Sequence, residues 1–287
     1  MSAFDPETHR NQSLEQWESA APGWARWQGL MREFAGPASD ALLAALALQP
    51  GMAVLDIAAG VGETGLAAAQ QVQPGGSAIV GDQAQAMVAA AAQRAQELGL
   101  QHVETKQLNA EWLDLPTASL DAALCRWGIM LMADPEAALR ELRRVLRPGG
   151  RLALAVWDTP ASNPWASLLA AELIERGLLP APTQESGYRP GMFALADPRA
   201  LAELIGAAGF VEVHTRSLPL TRRHQDFAEF WQVSLDLAPG FHDAVMSSPP
   251  AEVEAIERAV AERLAPFTAA DGTLAIPAAT LLASAEA

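Results

Sequence analysis

Short apolar runs alternate with longer amphipathic stretches through the first half of the chain. MAVLDIAA (52–59) is apolar almost without alternation and ends in a glycine-rich loop, the pattern of a strand buried on both faces. ETGLAAAQQV then reads as a helix stopped by Pro74, Gly75 and Gly76. SAIVGD (77–82) is a second strand, and the helix AQAMVAAAAQRAQELG after it ends at Gly99, suited to a left-handed cap. HVETKQL (102–108), SLDAALCRWG (119–128) and RLALAVWD (151–158) supply three more strands. Between the last two, DPEAALRELRRVLRPGG (134–150) carries Asp134 as N-cap, Pro135 at the first helical position and Pro148-Gly149-Gly150 as a stop. Its residues Ala137, Leu139, Leu142, Val145 and Leu146 predict one buried face. Strands and helices alternating at this length predict a parallel sheet covered on both sides.

The flanks follow other patterns. Trp17, Trp24, Trp27 and Phe34 recur at near-helical spacing, predicting two short helices broken at Ala21-Pro22-Gly23. Beyond Asp158 a proline-rich stretch (159–195) surrounds the helix PWASLLAAELIERG, and ADPRALAELIGAAGF repeats the Asp-Pro helix start. VEVHTRSLPL (211–220) and AATLLASAEA at the C-terminus read as sixth and seventh strands, framing a helical block that holds Trp231 and Phe241. The expectation is an α/β, Rossmann-like, doubly wound sheet of seven strands, mostly parallel with an antiparallel last strand. Residues 1–45 form a helical cap, 46–158 the core, and 159–287 lid helices plus the last two strands of the same sheet.

Composition narrows the partners. Half of the 287 residues are hydrophobic, enough for a full core, and the net charge is −15 from 34 acidic and 19 basic residues. A nucleic-acid backbone or an anionic membrane would be repelled, so neither is expected as a partner. The lone Cys125 leaves no internal disulfide and no thiolate cluster. MSAFDPETHR lacks the regions of a signal peptide, and no apolar run reaches membrane-spanning length, which predicts a cytoplasmic chain with an unused Asn11-Gln12-Ser13 sequon. His9, His102, His214, His224 and His242 show no metal-ligand spacing, so no metal is expected. No G-x-S-x-G elbow supports a hydrolase.

The candidate chemistry sits in DIAAGVGETG (56–65), where Gly60, Gly62 and Gly65 spell G-x-G-x-x-G. Such a loop suits a nicotinamide dinucleotide or S-adenosylmethionine. Asp56 separates the two, because a carboxylate repels a pyrophosphate and attracts an ammonium and a sulfonium. Asp82, ending the second strand, can accept ribose hydroxyls in either class. Gly65 reads as incidental, a position on the first helical turn.

The chain resembles the class I S-adenosylmethionine-dependent methyltransferases, in particular the ubiquinone/menaquinone C-methyltransferase-like (type 11) group. The matching stretches are VLDIAAGVGETG, VGDQAQAM, LNAEWLDLP, LCRWGIMLMADPEAALRELRRVLRPGGRLALAVW and LADPRALAELIGAAGF with its following strand. The resemblance implies S-adenosylmethionine as cofactor and S-adenosylhomocysteine as product. It implies that Asp56 faces the methionyl ammonium and that Gly60 and Gly62 let the backbone approach. Asp82 would hold the ribose with Gln83 and Met87 beside the adenosine; Asn109, Ala110 and Glu111 would meet the adenine; the Arg126 carbonyl would help hold the methionine moiety. Two positions depart from the family. Ala58 stands where glycine is frequent, and Asn109 where aspartate is.

The expected activity is in-line, metal-independent methyl transfer to a small-molecule acceptor, with a homodimer as the assembly to test for. Trp24, Trp27, Trp127, Met130, Asn163, Trp165 and Tyr188 are the acceptor-side candidates, and no residue is nominated as catalytic base. The alternative keeps the cofactor and the fold but performs an isomerisation, cyclisation or decarboxylation. An NAD-dependent oxidoreductase stands third.

Overall fold

The computed structural model describes residues 4–181 and 188–287. Its frame is one seven-stranded sheet in the order β3-β2-β1-β4-β5-β7-β6. The strands are β1 (Ala53–Ile57), β2 (Ser77–Asp82), β3 (Val103–Gln107), β4 (Leu120–Arg126), β5 (Leu146–Trp157), β6 (Val211–His224) and β7 (Leu274–Glu286). The first five pair in parallel, and β7 runs antiparallel to both β5 and β6. The chain reverses its direction of travel across the sheet between β1 and β4. In open sheets of this kind the crevice outside the carboxyl ends of the strands at that point receives the ligand.

The helices are α1 (Pro6–Arg26), α2 (Gln28–Leu46), α3 (Glu63–Gln71), α4 (Gln85–Glu97), α5 (Pro135–Val145), α6 (Pro164–Glu175), α7 (Pro198–Ala207), α8 (Phe227–Leu237), α9 (Pro239–Met246) and α10 (Pro250–Leu264). Asp5, Asp134 and Asp197 each cap a helix that begins with proline, accepting from amides of the first turn. Leu42 and Leu46 of α2 and Leu139 and Leu142 of α5 join Leu55, Leu124 and Leu154 of the sheet in the main core. A second apolar cluster gathers Leu173, Phe230, Trp231, Phe241, Val245, Ile256 and Val260 from α6, α8, α9 and α10. That cap rests on Leu274 and Ile276 of the β6–β7 ribbon. Among the described residues no helix is long and apolar enough to cross a membrane.

β6 and β7 run four residues longer than the sequence reading at their paired ends, to His224 and from Leu274, and two further boundaries differ. The N-terminal segment does not break at Ala21-Pro22-Gly23: α1 continues through Pro22 to Arg26, and the chain turns at Trp27. Proline inside a helix costs ~3 kcal/mol. Tertiary packing offsets it here, since Ala20 and Ala21 are buried against Val61, Ala84 and Met87. Gly23 lets α8 approach so closely that a methyl group there would stand 2.3 Å from the Asp236 carbonyl oxygen. The second difference is at α5, which stops at Val145 and not at Pro148-Gly149-Gly150, because Leu146 already pairs with Leu120 as the start of β5.

Candidate functional site

Asp56, Asp82 and Arg126 stand side by side at the carboxyl ends of β1, β2 and β4. The loop after β1 is made of left-handed backbone: φ is +50° at Ala58, +55° at Gly60 and +81° at Gly62, which leads into α3. Asp82 braces this loop. Its Oδ2 accepts from the Gly60 amide at 2.8 Å, and its Oδ1 from the Ala84 amide at 3.0 Å. Burial pushes the pKa of Asp82 up, against the pull of those amides.

Asp56 is 2% exposed, and its Oδ1 has no hydrogen-bond partner. Burial raises its pKa to about 7, opposed mainly by the Arg126 guanidinium. Arg126 does not satisfy it directly: its Nη1 donates to Ser39 Oγ at 2.7 Å and its Nη2 to Glu63 Oε2 at 3.1 Å. A buried carboxylate of this kind needs a cation or a proton to sit comfortably in low dielectric. The acids around the loop, with the neighbouring arginine already committed to Glu63, suit a cationic ligand and oppose a pyrophosphate.

Gly65 corrects the sequence reading. A methyl group there would lie 2.8 Å from Asp56 Cβ, 2.9 Å from its Oδ2 and 2.9 Å from Val80 Cγ2. Its backbone amide also favours the charged form of the Asp56 carboxylate, against the effect of burial. The third glycine of the string is therefore a packing requirement between α3 and the strands.

The adenine-side candidates lie under and beside α1. Met87 is buried with Val61 and Ala84 beneath Trp17, Ala20, Ala21 and Trp24. Gln83 donates to Ser13 Oγ at 3.0 Å. Asn109 Oδ1 accepts from the Glu111 amide at 2.9 Å, closing its own turn around half-buried Ala110. The Glu111 carboxylate takes Arg10 Nε at 2.8 Å and the Asp134 amide at 3.1 Å. Glu18 of α1, which sequence reasoning missed, caps α4 from outside, accepting from the Gln85 amide at 2.5 Å and the Ala86 amide at 2.9 Å. Nothing local flags such a cap, because its two partners are far apart in the chain.

Around the acceptor-side candidates four aromatic rings form a row. Trp127 stacks on Trp157 with centroids 4.0 Å apart, Trp165 meets Trp157 edge-on at 5.1 Å, and Phe34 flanks all three. Trp127 has φ +62°, an uncommon state for a bulky residue, and is held by Nε1 donating to Thr280 Oγ1 at 2.9 Å. Met130 is buried, and its carbonyl accepts from Tyr188 Oη at 2.7 Å. Trp27 is pinned through Nε1 to Asp236 Oδ2 at 2.7 Å, while Trp24 packs on Trp17 with its buried Nε1 unpartnered.

Asn163 is a correction: it is fully buried and has no group free for an acceptor. Its Nδ2 donates to the carbonyls of Asp158, Thr159 and Ala279, and its Oδ1 accepts from the Ala279 amide and from Trp165 Nε1. A side-chain amide used in this way stitches the end of β5 to β7.

The sheet order and the acidic, glycine-turned loop at its reversal point fit the class I S-adenosylmethionine-dependent methyltransferases, as the resemblance implied. A model of the methyltransferase domain family matches residues 54–150. The nocamycin O-methyltransferase of Saccharothrix syringae is 32% identical over 190 residues, 63% of this chain and 67% of that protein. A demethylmenaquinone methyltransferase of Mycolicibacterium gilvum is 31% identical over 182 residues, 61% of this chain and 75% of that one. The crystal structure of the YcgJ protein from Bacillus subtilis superposes with a TM-score of 0.57 at 21% identity, covering 88% of this chain and 98% of that one, a likeness of fold. The chain belongs to this methyltransferase family, in its ubiquinone/menaquinone C-methyltransferase-like group, and S-adenosylmethionine is its cofactor.

Proposed function

We propose that this chain methylates a small, largely apolar organic acceptor held against the tryptophan row, with its cofactor seated over the Asp56 loop. The observation that carries the reading is the Asp56 carboxylate, buried and with one oxygen unpartnered, beside a loop of bare backbone at the sheet's reversal point. Asp56 would face the methionyl ammonium. Gly60 and Gly62 would give the backbone approach, with Ala58 narrowing it by one methyl. Asp82 would hold the ribose through the lone pairs its two amide bonds leave free. Gln83, Met87, Asn109, Ala110 and Glu111 would border the adenosine beneath α1, and the Arg126 carbonyl the methionine moiety.

The cofactor supplies an electrophilic methyl on a sulfonium, which leaves as a neutral thioether. The chain's task is then to align the acceptor, shield it from water and stabilise the cationic tail. Stacked Trp127 and Trp157, with Trp165 edge-on to Trp157, would provide an apolar wall for that alignment. Nocamycin O-methyltransferase and demethylmenaquinone methyltransferase, to which the chain is similar, carry the names of organic small molecules, and this supports an acceptor of that kind.

Two measurements test the reading. Calorimetry with S-adenosylmethionine and with NAD should detect only the first. A panel of phenols, quinols, amines and thiols should release S-adenosylhomocysteine together with a product heavier by one methyl. A product formed without S-adenosylhomocysteine would favour the non-methylating chemistry instead.

A further inference from the structure

The β6–β7 ribbon continues past the rest of the sheet. Trp157 at the end of β5 pairs with Thr280, whereas Arg222 pairs with Ile276, four residues nearer the start of β7. Because β6 runs parallel to β5, this extension carries Arg222 beyond the same carboxyl edge that bears Asp56, Asp82 and Arg126. There its guanidinium enters the cap, 4.6 Å from the Trp165 centroid and 5.5 Å from the Phe230 centroid. It is 4% exposed.

The surroundings of this cation are unusual. Among the described residues no carboxylate pairs with it, and its Nη2 has no hydrogen-bond partner. Its Nε–H goes to His224 Nε2 at 2.9 Å. That bond fixes the neutral tautomer of His224 with the proton on Nδ1, which is buried without a hydrogen-bond partner, 3.3 Å from Glu229 Oε2. Burial and the adjacent guanidinium lower the His224 pKa to about 3, so the ring does not compete as a second cation. His224 thus orients the guanidinium through Nε, two aromatic faces desolvate it, and Nη2 is left without an acceptor among the described residues. A planar fork of this kind matches the two oxygens of a carboxylate. Trp165 links it to the site, being the outer ring of the row whose inner ring, Trp127, carries the Arg126 guanidinium at 5.0 Å.

We infer that Arg222 is a specificity residue, recognising a carboxylate on the methyl acceptor, which lies along the tryptophan row with its acid group at Arg222 and its reacting atom toward the cofactor. This rests on the methyltransferase reading of the Asp56 loop and extends it to the class of acceptor, an organic acid in preference to its neutral ester. His224 acts as a positioning residue.

Matched pairs test it on the full chain saturated with S-adenosylhomocysteine: 4-hydroxybenzoate against its methyl ester, and 4-hydroxycinnamate against its methyl ester. Binding is followed by tryptophan fluorescence, and calorimetry with S-adenosylhomocysteine alone comes first. Loss of that cofactor binding would overturn the site reading itself. With it intact, at least one acid should bind tenfold or more tighter than its ester. Arg222→Met should erase the difference while leaving cofactor affinity unchanged, and Arg222→Lys should retain part of it. The wild-type comparison needs no variant, so it decides even where Arg222→Met fails to fold. Failure of both acids to bind tighter than their esters, including no binding by either at saturation, would overturn the inference, as would a preference that survives Arg222→Met.

Discussion

The backbone of Gly65 lies against Asp56 so closely that a methyl group would stand 2.8 Å from the aspartate Cβ and 2.9 Å from its Oδ2. Both neighbours are buried and on rigid elements, so neither can yield at small cost. Gly65→Ala should lower stability by about 1–3 kcal/mol, the usual cost of overpacking. By displacing the Asp56 carboxylate it should also weaken S-adenosylmethionine binding. Urea denaturation and calorimetry on the same samples check this; wild-type values in both would mean that α3 shifts freely.

Ala58 and Gly128 form a second matched pair. Ala58 holds φ +50°, and its Cβ is tolerated because a methyl group on Gly128 would lie only 2.4 Å away. Gly128→Ala should therefore be strongly destabilising, whereas Ala58→Gly relieves left-handed strain of about 1 kcal/mol. In the Ala58→Gly background the cost of Gly128→Ala should shrink by about 1 kcal/mol or more, as contacting pairs do in double-mutant cycles. Part of the cost should persist, since the new methyl also meets Cys125 Sγ at 3.0 Å. Strict additivity of the two substitutions in chemical denaturation would refute the pairing.

The N-terminal helix is clasped at two ends. Glu18 caps α4, and Asp236 of α8 receives Arg26 Nη1 at 2.8 Å and Trp27 Nε1 at 2.7 Å. α1 lies over Val61 and Met87, so it would have to lift for a cofactor to reach the adenosine side proposed above. Glu18→Ala removes a helix cap and should cost about 0.5–2 kcal/mol. Hydrogen exchange of the Gln85 and Ala86 amides should accelerate by at least tenfold in that variant, and cofactor association should quicken. Unchanged exchange would show that the cap is replaced by water without loss.

The sheet and its ligand edge were legible in the chain, because the strand and helix periods differ and because Asp134, Pro135 and Gly99 punctuate them locally. Asp56 was legible for a related reason: an acid closing an apolar run has few structural explanations. What escaped depends on contacts distant in sequence. Pro22 reads as a breaker until α8 and the glycine loop are packed on α1. Gly65 looks like any residue of a first helical turn until the strand beneath it is in place. Asn163 looks like a ligand until β7, more than a hundred residues later, supplies its partners. Arg222 carries no motif at all; only the extended β6–β7 ribbon brings it beside Trp165.

Titration of Asp56 ties stability to binding. Its pKa in the fold is about 7, above the ordinary carboxylate value of 3.8, because burial penalises the charged form. The folded state therefore binds the proton more tightly than the unfolded chain does. The stabilising contribution of the protonated acid is full below about pH 4 and is lost as pH rises through about 7; Asp82 shifts in the same direction. The ligand-free protein should thus lose stability between pH 5 and 7.5. A cationic tail beside Asp56 favours the carboxylate, so S-adenosylmethionine affinity should move the opposite way, rising about tenfold or more between pH 5.5 and 7.5 with release of a proton. An α-amino group stays largely protonated over that range, so the cofactor's own titration adds little. Calorimetry in buffers of different ionisation enthalpy measures both the affinity and the proton. Asp56→Asn should flatten the affinity profile and lower it toward the acid-limb value; a variant that keeps the wild-type slope would place the cationic tail away from Asp56.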